Sequence, residues 1–161
     1  MDLQANKRTA LRRVIIDTPA LLNMVKHCRE NNNLEATGIL MGVTQKDTLN
    51  DQEDSLMITQ TMPRANKSQM SDLLSKLEQD SQKLMDTNEV GIYVNSRMGL
   101  CFNREVNSLI IESFKKFKNA VFIVYDISKS DFGLNPLHAY RLSEKAIKAF
   151  TLHGSIQTHL S

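Results

Sequence analysis

The stretch Glu89-Val90-Gly91-Ile92-Tyr93-Val94-Asn95-Ser96-Arg97-Met98-Gly99-Leu100-Cys101-Phe102-Asn103 decides the fold. Val90, Ile92 and Val94 alternate with smaller or polar residues, which reads as a short buried strand with the pattern of a sheet edge. Gly99 then allows a turn that β-branched residues would resist. Asn103 supplies a capping oxygen for a helix predicted to run to about Lys118. Val106, Leu109, Ile110, Phe114 and Phe117 form its apolar stripe, and Lys115, Lys116 and Lys118 sit in the last turn, where cations suit the helix dipole.

Upstream, Arg12 to Asp17 contains Val14-Ile15-Ile16, a β-branched run expected to be the first strand. Thr18-Pro19 marks a helix start, with Thr as the cap and Pro at the first helical position. That helix continues to about Asn31, with Leu21, Leu22, Val25 and Cys28 on one apolar stripe. Leu34 to Val43 and Leu56 to Met62 read as two strands of a hairpin around the polar turn Gln45 to Ser55, with Pro63 as the stop. Lys67 to Thr87 reads as a long helix whose apolar residues cover more than one narrow face, leaving Met70, Leu74 and Leu77 for a partner helix.

Downstream, Ala120 to Asp126 is continuously apolar and predicts a central strand covered on both faces. Ile127 to Gly133 reads as a loop and Asn135 to Leu142 as a further strand. Ser143 caps a last helix with Ala146, Ile147 and Phe150 on one face; Ile147 and Phe150 join the candidate partner-binding residues.

A chain of 161 residues is enough for one domain with a sizeable core. The expected division is a flexible segment over 1–11, the domain over 12–150 and a tail over 151–161. A net charge of +2 gives no electrostatic case for strong nucleic-acid binding. Lys7, Arg8, Arg12 and Arg13 cluster near the N-terminus, either as a solvated segment or as an arm for RNA or an acidic partner. Two cysteines, Cys28 and Cys101, make no disulfide framework, and they read as small core hydrophobes in a reducing, cytoplasmic setting. No apolar run approaches the roughly 18 residues of a membrane helix. The four histidines are scattered, with none at ligand spacing from a Cys or a carboxylate.

Two runs carry a family resemblance. Glu35-x-x-Gly38-Ile39-Leu40-x-Gly42 and Val90-Gly91-x-Tyr93, with Cys101 following, resemble the MPN domain, the fold of the JAMM metalloproteases. The resemblance implies an α/β fold, a JAMM/cytidine-deaminase-like domain with a curved mixed β-sheet flanked by helices. Active members of that family read Val-Gly-Trp-Tyr-His-Ser-His-Pro-Gly-Phe-Gly-Cys, with an Asp eleven residues after the second His. The two His positions fall here on Val94 and Ser96, the Asp on Asn107, and the general-base Glu on Glu35.

A catalytic zinc takes three protein ligands and leaves one position open for water. Val94 has no lone pair, Ser96 is a neutral hydroxyl, and Asn107 offers a weak, uncharged oxygen. Without zinc nothing lowers the pKa of a hydrolytic water toward neutrality. The expectation is therefore a domain without metal, cofactor or catalytic residue, in which Glu35 bonds locally at a strand start. A metallopeptidase with relocated ligands is the competing class, supported by Glu35 alone.

A third run, Ile123-Val124-Tyr125-Asp126 followed by Leu137-His138-Ala139-Tyr140-Arg141-Leu142-Ser143, is similar to the h-type MPN family of eukaryotic translation initiation factor 3. That family also lacks both zinc histidines. The resemblance implies a scaffold that dimerises with a second MPN subunit, of the f type, joins the other subunits of the factor, and supports assembly on the small ribosomal subunit. An MPN scaffold of the proteasome lid, which keeps one His of the pair, or of a related complex, is the alternative. Members of the family continue into long C-terminal helices beyond the region matched here.

Overall fold

The computed structural model describes residues 10–32, 34–46, 53–64, 88–117 and 119–153. Six strands, β1 (Ala10–Ile16), β2 (Thr37–Lys46), β3 (Glu53–Pro63), β4 (Asn88–Ser96), β5 (Val121–Asp126) and β6 (Leu137–Tyr140), form one mixed sheet. Their order is β1-β3-β2-β4-β5-β6, and the sheet is nearly barrel-shaped. Among the described residues the helices are α1 (Thr18–Glu30), α2 (Arg104–Lys116), α3 (Ile127–Asp131) and α4 (Glu144–His153). None of them is long and apolar enough to cross a membrane.

The expected hairpin is β2 with β3, paired antiparallel from Gly38↔Pro63 to Lys46↔Asp54. Its strands are longer than their apolar runs suggested, since cross-strand pairing carries the polar ends, and Pro63 is the last residue of β3 rather than a stop before it. β4 differs from the edge strand its alternation suggested: it lies between β2 and β5, and residues 90–96 are all buried. Its flanking strands and the layers on both faces cover it, so its polar members Asn95 and Ser96 are buried too. β5 is buried along its whole length, as its continuous apolar run predicts.

Alternation along β4 and β5 divides the core in two. Tyr93, Val121, Ile123 and Tyr125 face α1 and pack with Ala20, Met24 and Cys28. Ile92, Val94, Phe122 and Val124 face the other way, onto Val106 of α2 and Cys101. The β2–β4 register shifts between Leu40 and Met41, a bulge that carries Val90 to the α1 side.

Several local expectations are corrected. α1 is preceded by Asp17 as N-cap, with Thr18 already helical. Its buried stripe is Ala20, Met24 and Cys28, one residue per turn, which turns Leu22 outward to 63% exposure. The segment 127–133 contains the short helix α3, capped by the Asp126 side chain, which accepts from Lys129 N at 3.2 Å. β6 is confined to four residues, Leu137–Tyr140, because only these pair with β5. The Ser143 cap holds: its Oγ accepts from Ala146 N at 3.2 Å. The predicted helix 67–87 lies outside the described residues.

Candidate functional site: a cavity at the carboxyl ends of β4 and β5

β4 and β5 run parallel with Ser96 opposite Asp126, and ligand sites of open α/β sheets gather at such carboxyl ends. Here the chain leaves β4 through a tight turn. Leu100 N donates to Arg97 O at 3.0 Å, and Met98 (φ 55°) and Gly99 (φ 76°) are both left-handed. Two consecutive positive φ values are the signature of a type I′ turn. Gly99 adopts it freely, while Met98 bears a local cost of about 1 kcal/mol. The turn is tied to β5 by Gly99 N, which donates to Asp126 Oδ2 at 3.1 Å.

Asn103 then ends the loop and begins α2, its Oδ1 accepting from Val106 N at 2.8 Å as the sequence predicts. The same side chain reaches back across the site, where its Nδ2 donates to Glu35 Oε2. Glu35 is thus bonded to a residue 68 positions away rather than locally. Its backbone is fixed by Asn95, on the opposite face of β4. The Asn95 amide accepts from Ala36 N at 2.8 Å and donates to Asn31 O at 3.1 Å and Leu34 O at 2.9 Å.

These elements enclose an open cavity of about 620 Å³. Glu35, Val94, Ser96, Arg97, Cys101, Phe102 and Asn103 are among the residues that line it. Three of the four positions singled out from the sequence, Glu35, Val94 and Ser96, therefore meet. Asn107 does not line the cavity; it lies one helical turn beyond Asn103 on α2, and Asn103 occupies the place facing Glu35. Of the candidate partner-binding residues, Met70, Leu74 and Leu77 lie outside the described residues, as does the side chain of Phe150. Ile147 is half-buried on α4.

The polar groups around the cavity are unevenly satisfied. Arg97 turns to Asn32, with Nε donating to Asn32 O at 3.3 Å and Nη2 to Asn32 Oδ1. Ser96 is 3% exposed, and among the described residues its Oγ has no partner in ordinary hydrogen-bond geometry. The Cys101 thiol lies near enough to feel it. Burial pushes that thiol up, the Ser96 hydroxyl pulls it partly back, and the Asp126 and Glu35 carboxylates push it up further.

The zinc of active JAMM proteases does not fit this donor set. Val94 is fully buried in the apolar cluster with Val106 and Val124, and has no atom that coordinates. Among the described residues no three His, Cys, Asp or Glu side chains are placed to hold a metal ion. Of the scattered histidines, His27 has a structural role, since its Nδ1 lies 2.8 Å from Tyr93 Oη on the α1 face.

Residues 9–120 match the family model described as "JAB1/Mov34/MPN/PAD-1 ubiquitin protease". The chain belongs to the JAB1/Mov34/MPN/PAD-1 family. The match spans Glu35, Val94, Ser96 and Asn107 alike, so the family skeleton persists where its ligands differ. The chain is 27% identical over 158 residues to the H subunit of eukaryotic translation initiation factor 3 from Monosiga brevicollis, covering 92% of this chain and 44% of that protein. It is 27% identical over 170 residues to the protein of the same name in Aspergillus clavatus, covering 91% and 45%. The Arabidopsis thaliana protein of that name is 26% identical over 148 residues, covering 87% and 42%. The chain thus spans less than half the length of these relatives.

Sequence reasoning finds the strand positions and misses Asn103 as a cavity residue, because its capping role explains it fully. Asp126 reads in the sequence as the end of a strand and as part of the third resembling run, with no role at the cavity. Its burial at 3% beside an opposite polar Ser96 is visible only once β4 and β5 are paired.

Proposed function

We propose that the protein is a non-catalytic MPN subunit of a translation initiation factor 3 assembly, acting through protein–protein contact. The observation that carries this is the pair Val94 and Ser96. They stand two residues apart on one face of β4, at the cavity, where active family members present two histidines. A hydrocarbon and a neutral hydroxyl neither hold zinc nor activate water. The relatives, each named as an H subunit of that factor, support the assembly. Its main contact there is a second MPN subunit of the f type, and the pair works on the small ribosomal subunit.

The test mixes the 161-residue chain with an f-type MPN subunit and follows both by size exclusion. A co-eluting pair supports the proposal. Two separate peaks at micromolar concentration contradict it.

A further inference from the structure

The sheet curls nearly into a barrel and leaves one seam open. β1 and β6 stand at its two ends, and among the described residues each pairs on one side only, with β3 and with β5. β1 runs parallel to β3, β3 and β4 both run antiparallel to β2, β4 runs parallel to β5, and β5 runs antiparallel to β6. The two outer strands therefore point in opposite directions. Such edges could pair with each other directly. Instead a cavity of about 380 Å³ lies between them, lined by Leu11, Arg13 and Val14 on the β1 bank and by Ala139, Tyr140 and Arg141 on the β6 bank.

An outer strand presents main-chain N–H and C=O groups to whatever lies beside it, a template for one more strand. The inner side of the seam is apolar. Leu11 and Val14 are half-buried against the core cluster under α1, Ala139 is exposed, and Val121, 2% exposed, closes the floor beneath them. The charge at the seam has one sign. Arg13 is exposed, its Nε donates to Ser55 Oγ at 3.4 Å, and it has no carboxylate partner among the described residues. Arg141 is held at the other bank, where its Nη2 donates to Asn119 Oδ1 at 2.9 Å. Among the described residues no Asp or Glu lines the cavity, and Lys7, Arg8 and Arg12 precede Arg13 in the sequence.

We infer that the seam takes an extended, acidic segment of a partner protein as an added strand, its main chain bonded to β1 on one side and to β6 on the other. Alternate side chains of a strand point to opposite faces. Apolar ones turn in toward Leu11, Val14 and Ala139, and carboxylates turn out to Arg13, whose guanidinium suits a two-oxygen partner, with Arg141 adding charge at the far bank. Because the banks run in opposite directions, the guest lies antiparallel to one and parallel to the other. A single-stranded RNA would meet the same charge, but its backbone carries no amide N–H groups for the strand carbonyls. Only a peptide answers the charge and both edges together. The inference rests on the proposed scaffold role, since it supplies that role with a contact.

The probe is the capped hexapeptide Glu-Val-Glu-Val-Glu-Val, titrated into the isotopically labelled 161-residue chain and followed by backbone amide NMR shifts. The controls are the Lys-Val repeat of the same length, hexauridylate, and two forms of the probe N-methylated at every valine or at every glutamate. Each methylated form loses the N–H donors of one strand edge. Saturable shifts on both banks, at Leu11 and Val14 and at Ala139 and Tyr140, are expected with the probe, at least tenfold weaker with every control. Arg13→Glu, at an exposed position, should weaken the probe at least tenfold, and Arg13→Lys only a few-fold. Equal response to the Lys-Val repeat, tighter binding of hexauridylate, shifts on one bank alone, a methylated form that binds like its parent, an unchanged Arg13→Glu titration, or no saturable shift would each overturn the inference. The peptide needs no f-type subunit. Its failure therefore leaves the co-elution test standing, and separate elution with the peptide still bound would sink the scaffold role alone.

Discussion

The two faces of β4 and β5 are built from neighbouring residues and end in opposite conditions. On the α1 face, polar atoms are matched. Tyr93 Oη meets His27 Nδ1 at 2.8 Å, Tyr125 Oη accepts from Arg29 Nε at 3.1 Å and donates to Ser130 Oγ at 3.0 Å, and Asn95 makes three bonds to the α1–β2 connection. Packing there is tight enough that a Cβ on Gly38 would lie 2.1 Å from the Tyr93 ring. On the α2 face, the row Ile92, Val94, Ser96 runs from core into cavity and ends at a hydroxyl without a regular partner among the described residues, two positions before a left-handed Met98. One face is closed by interactions that hold the fold together. The other keeps a cavity whose polar groups are incompletely answered within the described residues.

Removing side chains from the two faces should separate them. Tyr93→Ala takes a fully buried ring from the α1 face and should cost about 3–5 kcal/mol, read as a drop in the urea midpoint. Asn95→Ala should cost about 1–3 kcal/mol, because it strands the buried Ala36 N–H and two loop carbonyls. Ser96→Ala, next in sequence and equally buried, should be neutral or stabilise by up to about 1 kcal/mol, since it deletes a polar group that gains little where it is. If Ser96→Ala were as harmful as Asn95→Ala, the contrast between the faces would fail.

A smaller effect concerns pH. Burial lowers the His27 pKa from its ordinary 6.5, with Glu30 opposing. The folded chain then resists a proton that the unfolded chain accepts, so stability present above the unfolded value is lost as pH falls below about 6.5. His27→Asn places a neutral acceptor near Nδ1 and should flatten the fall in melting temperature between pH 7 and 5.5. An equally steep fall in that variant would assign the slope to other groups.

What the sequence made legible follows from periodicity. The two-residue period of β4 set Val94 and Ser96 on one face, the unbroken apolar run 120–126 predicted a central strand, and Asn103 announced α2 as a cap. What it hid required a second element. The Glu35–Asn103 bond joins residues 68 apart, and no local pattern reports it. Motif spacing pointed to Asn107, but the loop geometry brings Asn103 to the cavity instead, one turn earlier. β4 read as an edge because its alternation is genuine, while its burial comes from β2, β5 and both helical layers. Leu22 fell on the predicted stripe, yet the phase of α1 is set by Ala20, Met24 and Cys28 against the sheet.

The central claim is that a protease skeleton persists around a site whose side chains do not hold its ion. Its most direct test is the metal content of the purified 161-residue chain, measured by plasma mass spectrometry after incubation with excess zinc and desalting. The account predicts zinc far below one equivalent per chain and a urea midpoint unmoved by a chelator. One tightly held equivalent, lost together with stability when the chelator is added, would contradict it.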